Sequence, residues 1–328
     1  MAPIIQNVSF IIIARNEQDV LHRCLDSILR LSMVNCEVIC VDSSSTDGTL
    51  SIMKAYQKRH PFFVVLSPTD CRNAATARNH GMRVASKSKI FFIDGDTVLY
   101  TKFVHAALYE LDNPNIFAVT GGLDEIIYSD TDKKPLSGPY VRHNYSHKMK
   151  VMICGGIFIA KTEAIKTTGL YDERFYINED GDYTLRLTKN FQMIALPSKM
   201  GIHHTDKHEE RPWLFFRKRY ILNQGMLARK HWRRHGFWGA WYRSRKIFVY
   251  GFVSVNVLMI LVALHLYGVI SWTPLALFTM VLITLQIVYS KLKKLSLIST
   301  LIKSLLSPYF VFLGFCLEPI IKRLMRRE

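Results

Sequence analysis

Over the first 125 residues, short apolar runs rich in β-branched side chains alternate with longer stretches of mixed polarity. The runs at 9–14, 37–42, 62–66 and 90–93 have strand length and apolar centres. The stretches 17–31, 46–60, 74–85 and 102–111 repeat their apolar residues at helical spacing. Strand and helix in alternation predict an α/β fold, a mostly parallel sheet covered on both faces. Such sheets receive ligands beyond the carboxyl ends of their strands. The residues there are polar: Arg15-Asn16-Glu17 after the first run, Asp42 at the end of the second, and Asp94-Gly95-Asp96 after the fourth.

Beyond this region the pattern loosens. Residues 129–150 read as a long polar loop, the kind that serves as a functional lid. A small-residue turn and strand follow at 154–160, then a helix at 162–168, the acidic stretch Glu179-Asp180-Gly181-Asp182 opening a helix, helical pattern at 184–189, and a last strand at 191–196. The apolar run at 8–13 is short and lacks a basic leader and a small-residue cleavage site, so it reads as a buried first strand and not a signal peptide. Six cysteines lie scattered with no Cys-x-x-Cys pair, which fits a reducing compartment and gives no zinc site.

Charge divides the chain in two. Residues 1–210 hold 24 Lys/Arg and 24 Asp/Glu, whereas 211–328 hold 19 basic and 2 acidic residues and so carry the whole net charge of +17. A basic half suits nucleic acid, an acidic partner or anionic lipid. The apolar run inside it favours lipid and excludes nucleic acid: from Ile247 to Ser290 there are 44 positions without a charged residue, broken by the turn-like Ser271-Trp272-Thr273-Pro274. We expect a transmembrane hairpin over 247–290, since about 20 apolar residues span the hydrocarbon core. Arg243, Arg245 and Lys246 precede it and Lys291, Lys293 and Lys294 follow it, which places both ends in the cytoplasm and the chain in the inner membrane as a multi-pass protein. A third apolar stretch, 295–321, reads as interfacial or re-entrant. Residues 211–246 carry 11 Lys/Arg interleaved with aromatic rings and read as a basic amphipathic segment on an anionic leaflet. The expected domains are therefore 1–210, 211–246 and 247–328.

Several of these residues can carry chemistry. Two carboxylates one residue apart at a strand end, Asp94 and Asp96, can grip a hard divalent cation that keeps positions open for phosphate oxygens; a solvated turn uses the same residues. Asp42 can accept hydrogen bonds from a nucleobase or ribose, while Ser45, Thr46 or Asp47 caps the next helix. Arg78 can pair with a diphosphate. Glu179 and Asp180, at a helix start, sit where the dipole and free N–H groups favour the anion, a state suited to removing a proton from a hydroxyl; capping is the plainer role.

In order along the chain, Ile13-Ala14-Arg15-Asn16-Glu17, Val41-Asp42 with Ser45-Thr46-Asp47-Gly48-Thr49, Ala77-Arg78-Asn79-His80-Gly81, Asp94-Gly95-Asp96, Gly155-Gly156 and Glu179-Asp180 resemble the motifs of family 2 inverting glycosyltransferases of GT-A fold. The membrane-ended layout resembles the branch that builds bacterial polysaccharide repeat units on lipid carriers. The resemblance implies a GT-A catalytic domain, Rossmann-like with a mostly parallel sheet. It implies a nucleotide-diphosphate-sugar donor, usually UDP-linked, held by Ala14, Arg15, Asn16, Glu17, Asp42, Arg78, Asp94 and Gly95. It also implies Mg²⁺ or Mn²⁺ on Asp96 and Asp94, with His204, of the pair His203-His204 after the last strand, as a further ligand where the alternative is two ordinary histidines at the site's edge; Asp180 with Glu179 as the catalytic carboxylates; and Gly155, Gly156 and Arg219 toward a lipid-linked glycan acceptor. Processive members carry Gln-x-x-Arg-Trp; the nearest match, Phe216-Arg217-Lys218-Arg219-Tyr220, lacks Gln and Trp, so a single transfer per acceptor is expected.

Three alternatives stand beside this reading. A polyprenyl-phosphate acceptor is already ionised and needs no base, so Glu179-Asp180 favours a hydroxyl acceptor. A sugar nucleotidyltransferase would carry a Gly-rich basic loop where this chain has Ala14-Arg15-Asn16-Glu17. A non-catalytic membrane scaffold would have no use for so many carboxylates at strand ends.

Overall fold

Strand β2 (Val8–Ala14) is buried along its whole length and lies inside the main sheet, two strands from one edge. The computed structural model describes residues 4–129, 135, 139–207 and 220–237, with Val257, Leu261 and Ser271 singly. The chain divides into two units, Met1–Glu209 and Glu210–Glu328.

In the first unit the order is β1 (Ile5–Gln6), β2, α1 (Leu21–Leu29), β3 (Met33–Val34), β4 (Glu37–Asp42), α2 (Thr49–Arg59), β5 (Phe63–Leu66), α3 (Ala74–Val84), β6 (Lys89–Asp94), β7 (Thr97–Leu99) and α4 (Thr101–Leu111). There follow β8 (Ala118–Ser129), β9 (Tyr140–His143), β10 (Met149–Lys150), β11 (Phe158–Lys161), α5 (Thr162–Thr168), α6 (Glu179–Leu187) and β12 (Met193–Lys207). The sheet runs β10-β12-β8-β11-β6-β2-β4-β5, with β7 beside β12 and β9 beside β8. Strands β6, β2, β4 and β5 are mutually parallel, β11 is reversed between β6 and β8, and β8 and β12 pair in parallel.

Period-two alternation explains the two-sided cover. Phe10 and Ile12 join Val38, Cys40, Phe91 and Ile93 against apolar residues of α1 and α4 on one face. On the other, Ile11, Ile13, Ile39, Val41 and Phe92 meet residues of α3, α5 and α6. Gly81 of α3 makes this possible on its face, because a Cβ there would lie 2.5 Å from the Ile11 Cγ2. Register then sets the site: Ile13 is opposite Asp94 and Ala14 opposite Asp42, so the acidic ends of β4 and β6 share one edge of the sheet.

The four early strands and four helices match the expected pattern, with the starts of the first two helices displaced. Helix α1 begins at Leu21 and not near 17 because the intervening turn is tied to the next loop. The Asn16 N–H donates to Ser45 Oγ at 3.0 Å and the Glu17 N–H to Thr49 Oγ1 at 2.7 Å. Helix α2 starts at Thr49, with Asp47 Oδ1 accepting from its N–H at 3.0 Å. The supposed loop 129–150 contains β9 and β10, and β12 continues to Lys207 instead of ending at 196. Among the described residues, five cysteines are all free thiols.

In the second unit, α7 (Tyr220–His231) is a helix. Its residues 225–228 are buried in succession, more enclosure than a single apolar stripe provides. The rest of the basic segment 211–246 apart from 220–237, nearly all of the hairpin 247–290, and the whole of 295–321 lie outside the described residues. Among the described residues no helix is long and apolar enough to cross a membrane.

Candidate active site

Helix α3 begins at the N-cap Asn73, whose Oδ1 accepts from the Thr76 N–H at 2.9 Å, and the start of its second turn delivers Arg78 to the sheet edge. The Arg78 guanidinium is buried between two carboxylates, with Nη2 2.7 Å from Asp94 Oδ1 and Nη1 2.7 Å from Glu179 Oε1. Burial alone would weaken its charge, but Asp94 and Glu179 hold its pKa above the ordinary arginine value. For Glu179, burial and then the neighbouring charge of Asp180 push the carboxyl upward, against the pull of Arg78. The helix-start argument for a readily ionised carboxylate therefore does not carry over to Glu179, because desolvation outweighs the dipole there.

Asp180, one residue further into α6, is half-buried and accepts from the Gly181 N–H at 2.6 Å. Gly155 and Gly156, before β11, do different things. An added Cβ at Gly155 would approach only Asp180 Oδ2 and His143 Nε2, each at 3.9 Å, leaving an open slot. A Cβ at Gly156 would collide with Arg78 Nη2 and lie 3.2 Å from Asp94 Oδ2.

The metal-type donors come from the end of β6, the turn after it and β12. Asp94, Asp96 and His203 place one ligand atom each within 4.8 Å of one another. Residue 203 reaches them because β12 pairs His203 with Thr97 on one side and with Glu125 on the other. His203 Nε2 is 3.1 Å from Asp96 Oδ2, and Nδ1 is 3.5 Å from Glu125 Oε1. Burial opposes a charge on this ring, yet the hydrogen bonds to Asp96 and Glu125 carry its pKa up to about 10. Two carboxylates and an imidazole form a donor set that suits Mg²⁺ or Mn²⁺, the imidazole favouring the latter. His204, expected as the ligand, faces the other way. Its Nδ1 lies 2.9 Å from the Tyr128 hydroxyl, its ring stacks on Tyr128, and burial followed by the Arg23 charge lowers its pKa.

Asp42 is buried at the end of β4, where its carboxylate accepts from the Ser45 N–H and the Ser67 hydroxyl, both at 3.3 Å. Asn16, at a φ of 58°, accepts from the Thr46 N–H at 2.8 Å and so fastens the loop after β2 to the loop after β4. Ala14 is buried; its carbonyl accepts from the Ser43 N–H at 2.8 Å, and a Cβ on Gly95 would lie 2.6 Å from the Ala14 Cβ. Arg15 is exposed and Glu17 half-buried on the same rim. Arg219 lies outside the described residues.

A cavity of about 110 Å³ is lined by Arg78, Asp94, Asp180, His203, His143 and Tyr145 among others, and Asp42 and the residues around it lie outside that lining. Sequence reasoning missed Glu125, His143, Tyr145 and the choice of His203. The lid expectation for 129–150 covered His143 and Tyr145 as a segment without singling them out.

Residues 9–169 match the family described as Glycosyl transferase family 2. The chain carries a family 2 glycosyltransferase domain. It is similar to the poly(ribitol-phosphate) beta-glucosyltransferase of Bacillus spizizenii, with 34% identity over 92 residues, 27% of this chain and 14% of that protein. It is also similar to WfaP of Escherichia coli, a UDP-Glc:alpha-D-GlcNAc-diphosphoundecaprenol beta-1,3-glucosyltransferase, with 29% identity over 34% of this chain and 43% of that protein. The matched region thus spans less than half the length of either relative. Among solved structures, S. aureus TarS superposes with a TM-score of 0.51 at 16% identity, over 68% of this chain and 39% of TarS, a likeness of fold. The fold is a mixed α/β arrangement of GT-A type.

Proposed function

We propose that the protein transfers one sugar, with inversion, from a nucleotide-diphosphate sugar to a hydroxyl of a lipid-linked glycan at the cytoplasmic face of the membrane. One observation carries this: Asp180 and the Asp94–His203 donor group line a single cavity, so a base and a diphosphate site face one another. The family 2 domain supports the reaction class. The activity of WfaP, with its UDP-linked donor and diphosphoundecaprenol-linked acceptor, supports UDP and a lipid-linked acceptor.

Asp42, at the end of β4 beside Ser45 and Ser67, receives the base or ribose of the nucleotide. A Mg²⁺ or Mn²⁺ ion held by Asp94, Asp96 and His203 would offset the negative charge that grows on the leaving diphosphate. The acceptor hydroxyl enters the slot over Gly155. Asp180 takes its proton while the oxygen bonds to the anomeric carbon and the bond from that carbon to the diphosphate breaks on the opposite face. That single displacement inverts the centre. The basic segment 211–246 and the apolar run behind it would engage the membrane that carries the acceptor's lipid.

Asp180→Asn removes the base while keeping a similar shape. Transfer should fall by about a hundredfold or more, with donor affinity unchanged within about threefold. Turnover in the variant near the wild-type rate would sink the base assignment.

A further inference from the structure

The guanidinium of Arg78 was expected to face a diphosphate, but both of its Nη groups are already engaged. One is 2.7 Å from Asp94 at the end of β6 and the other 2.7 Å from Glu179 in the first turn of α6. Behind it stands a column of rings. The Arg78 Cζ lies 5.6 Å from the Tyr171 ring centre, Tyr171 stacks on Tyr183 at 3.9 Å and 12°, and the Arg186 Cζ lies 5.0 Å from the far ring. Asn79, the next residue, clasps the backbone of Tyr171 from both sides, accepting from its N–H at 2.8 Å and donating to its carbonyl at 3.0 Å. Gly156 closes the remaining side, since any side chain there would strike Nη2. So many fixed neighbours leave the guanidinium one position.

We propose that Arg78 is a positioning residue: its fork joins the donor-side carboxylate of β6 to the first turn of α6 and thereby sets where Asp180 stands relative to the donor. The proposal rests on the reading of Asp180 as the base and deepens it. A planar fork can hold two carboxylates at a fixed separation, which a lysine ammonium on a flexible stem cannot do. Reacting groups displaced by about 1 Å lose about a hundredfold in rate, so such a spacer matters through the carboxylates it holds.

The test uses Arg78→Lys and Glu179→Gln, each made in the full-length wild type and in Asp180→Asn. Transfer kcat, donor KM and Tm are measured for every variant. In the wild-type background each change should lower kcat by about tenfold or more, with donor KM within about threefold. In the Asp180→Asn background the further loss should be under about twofold, because a residue acting through Asp180 has nothing left to position. Equal losses in both backgrounds, or a loss appearing in donor KM, would overturn the positioning role. If Arg78→Lys fails to fold, Glu179→Gln, which keeps the side chain's size but loses the charge that draws Arg78, gives the same reading alone. Wild-type turnover by Asp180→Asn itself would instead defeat the base assignment, so the two failures are distinguishable.

Discussion

Successive residues of a strand point to opposite faces, and on β12 this sends His203 toward Asp96 and Glu125 while His204 stacks on Tyr128. The two histidines should therefore separate on substitution. His203→Ala should weaken metal-dependent donor binding by about tenfold or more, as loss of a ligand or its support does. His204→Ala should change it less than about threefold, since its ring contacts lie elsewhere. Calorimetric titration of the donor with and without Mn²⁺ checks both, and equal effects would contradict the assignment. The same account expects chelation to abolish metal-dependent donor binding by the wild type and expects added Mn²⁺ to restore it. The residues themselves signalled the Asp94-Gly95-Asp96 pair, because a doubled acid after a buried strand is a local feature. They could not choose between His203 and His204. Alternation says only that the two differ, and the face each takes follows from pairing with Glu125, 78 positions away.

Elements were legible where one kind of pattern ran unbroken. β4 is apolar at its centre and α5 is a short uninterrupted helix, and their bounds coincide with the expected ones. β8 was hidden because Gly121-Gly122 and Asp124-Glu125 interrupt its apolar character, although its long partnership with β12 gives them register. β12 was cut short in the sequence by Pro197, which sits where the ladder shifts register between Leu196 and Lys199. The contact of α3 with β2 offers a test at this scale. Alanine at position 81 gains about 1 kcal/mol of helix propensity but sets a Cβ 2.5 Å from the Ile11 Cγ2, where overpacking costs about 1–3 kcal/mol. Ile11 is fully buried and cannot withdraw, so the strain prevails. Gly81→Ala should lower Tm by about 2–4 °C for each kcal/mol lost. An unchanged or raised Tm would show that α3 rides more loosely on the sheet.

For the whole molecule, the proposed function assigns chemistry to the neutral first part and lipid to the basic remainder. Near an anionic leaflet each cation contributes about 1 kcal/mol. Replacing Arg217, Lys218, Arg219, Arg233 and Arg234 with Gln in the full chain should therefore depress transfer on vesicles containing anionic lipid far more than on neutral ones. Equal loss on both would remove the electrostatic role. The central claim, however, is sugar transfer from a nucleotide to a lipid-linked hydroxyl. The most direct measurement is product release by the full-length protein in membranes, supplied with a panel of nucleotide sugars and a lipid-linked glycan extract. The account predicts release of a nucleoside diphosphate, dependent on both acceptor and divalent metal and matched by a sugar of inverted configuration on the lipid fraction. Release of pyrophosphate, or turnover of no donor in the panel, would contradict it.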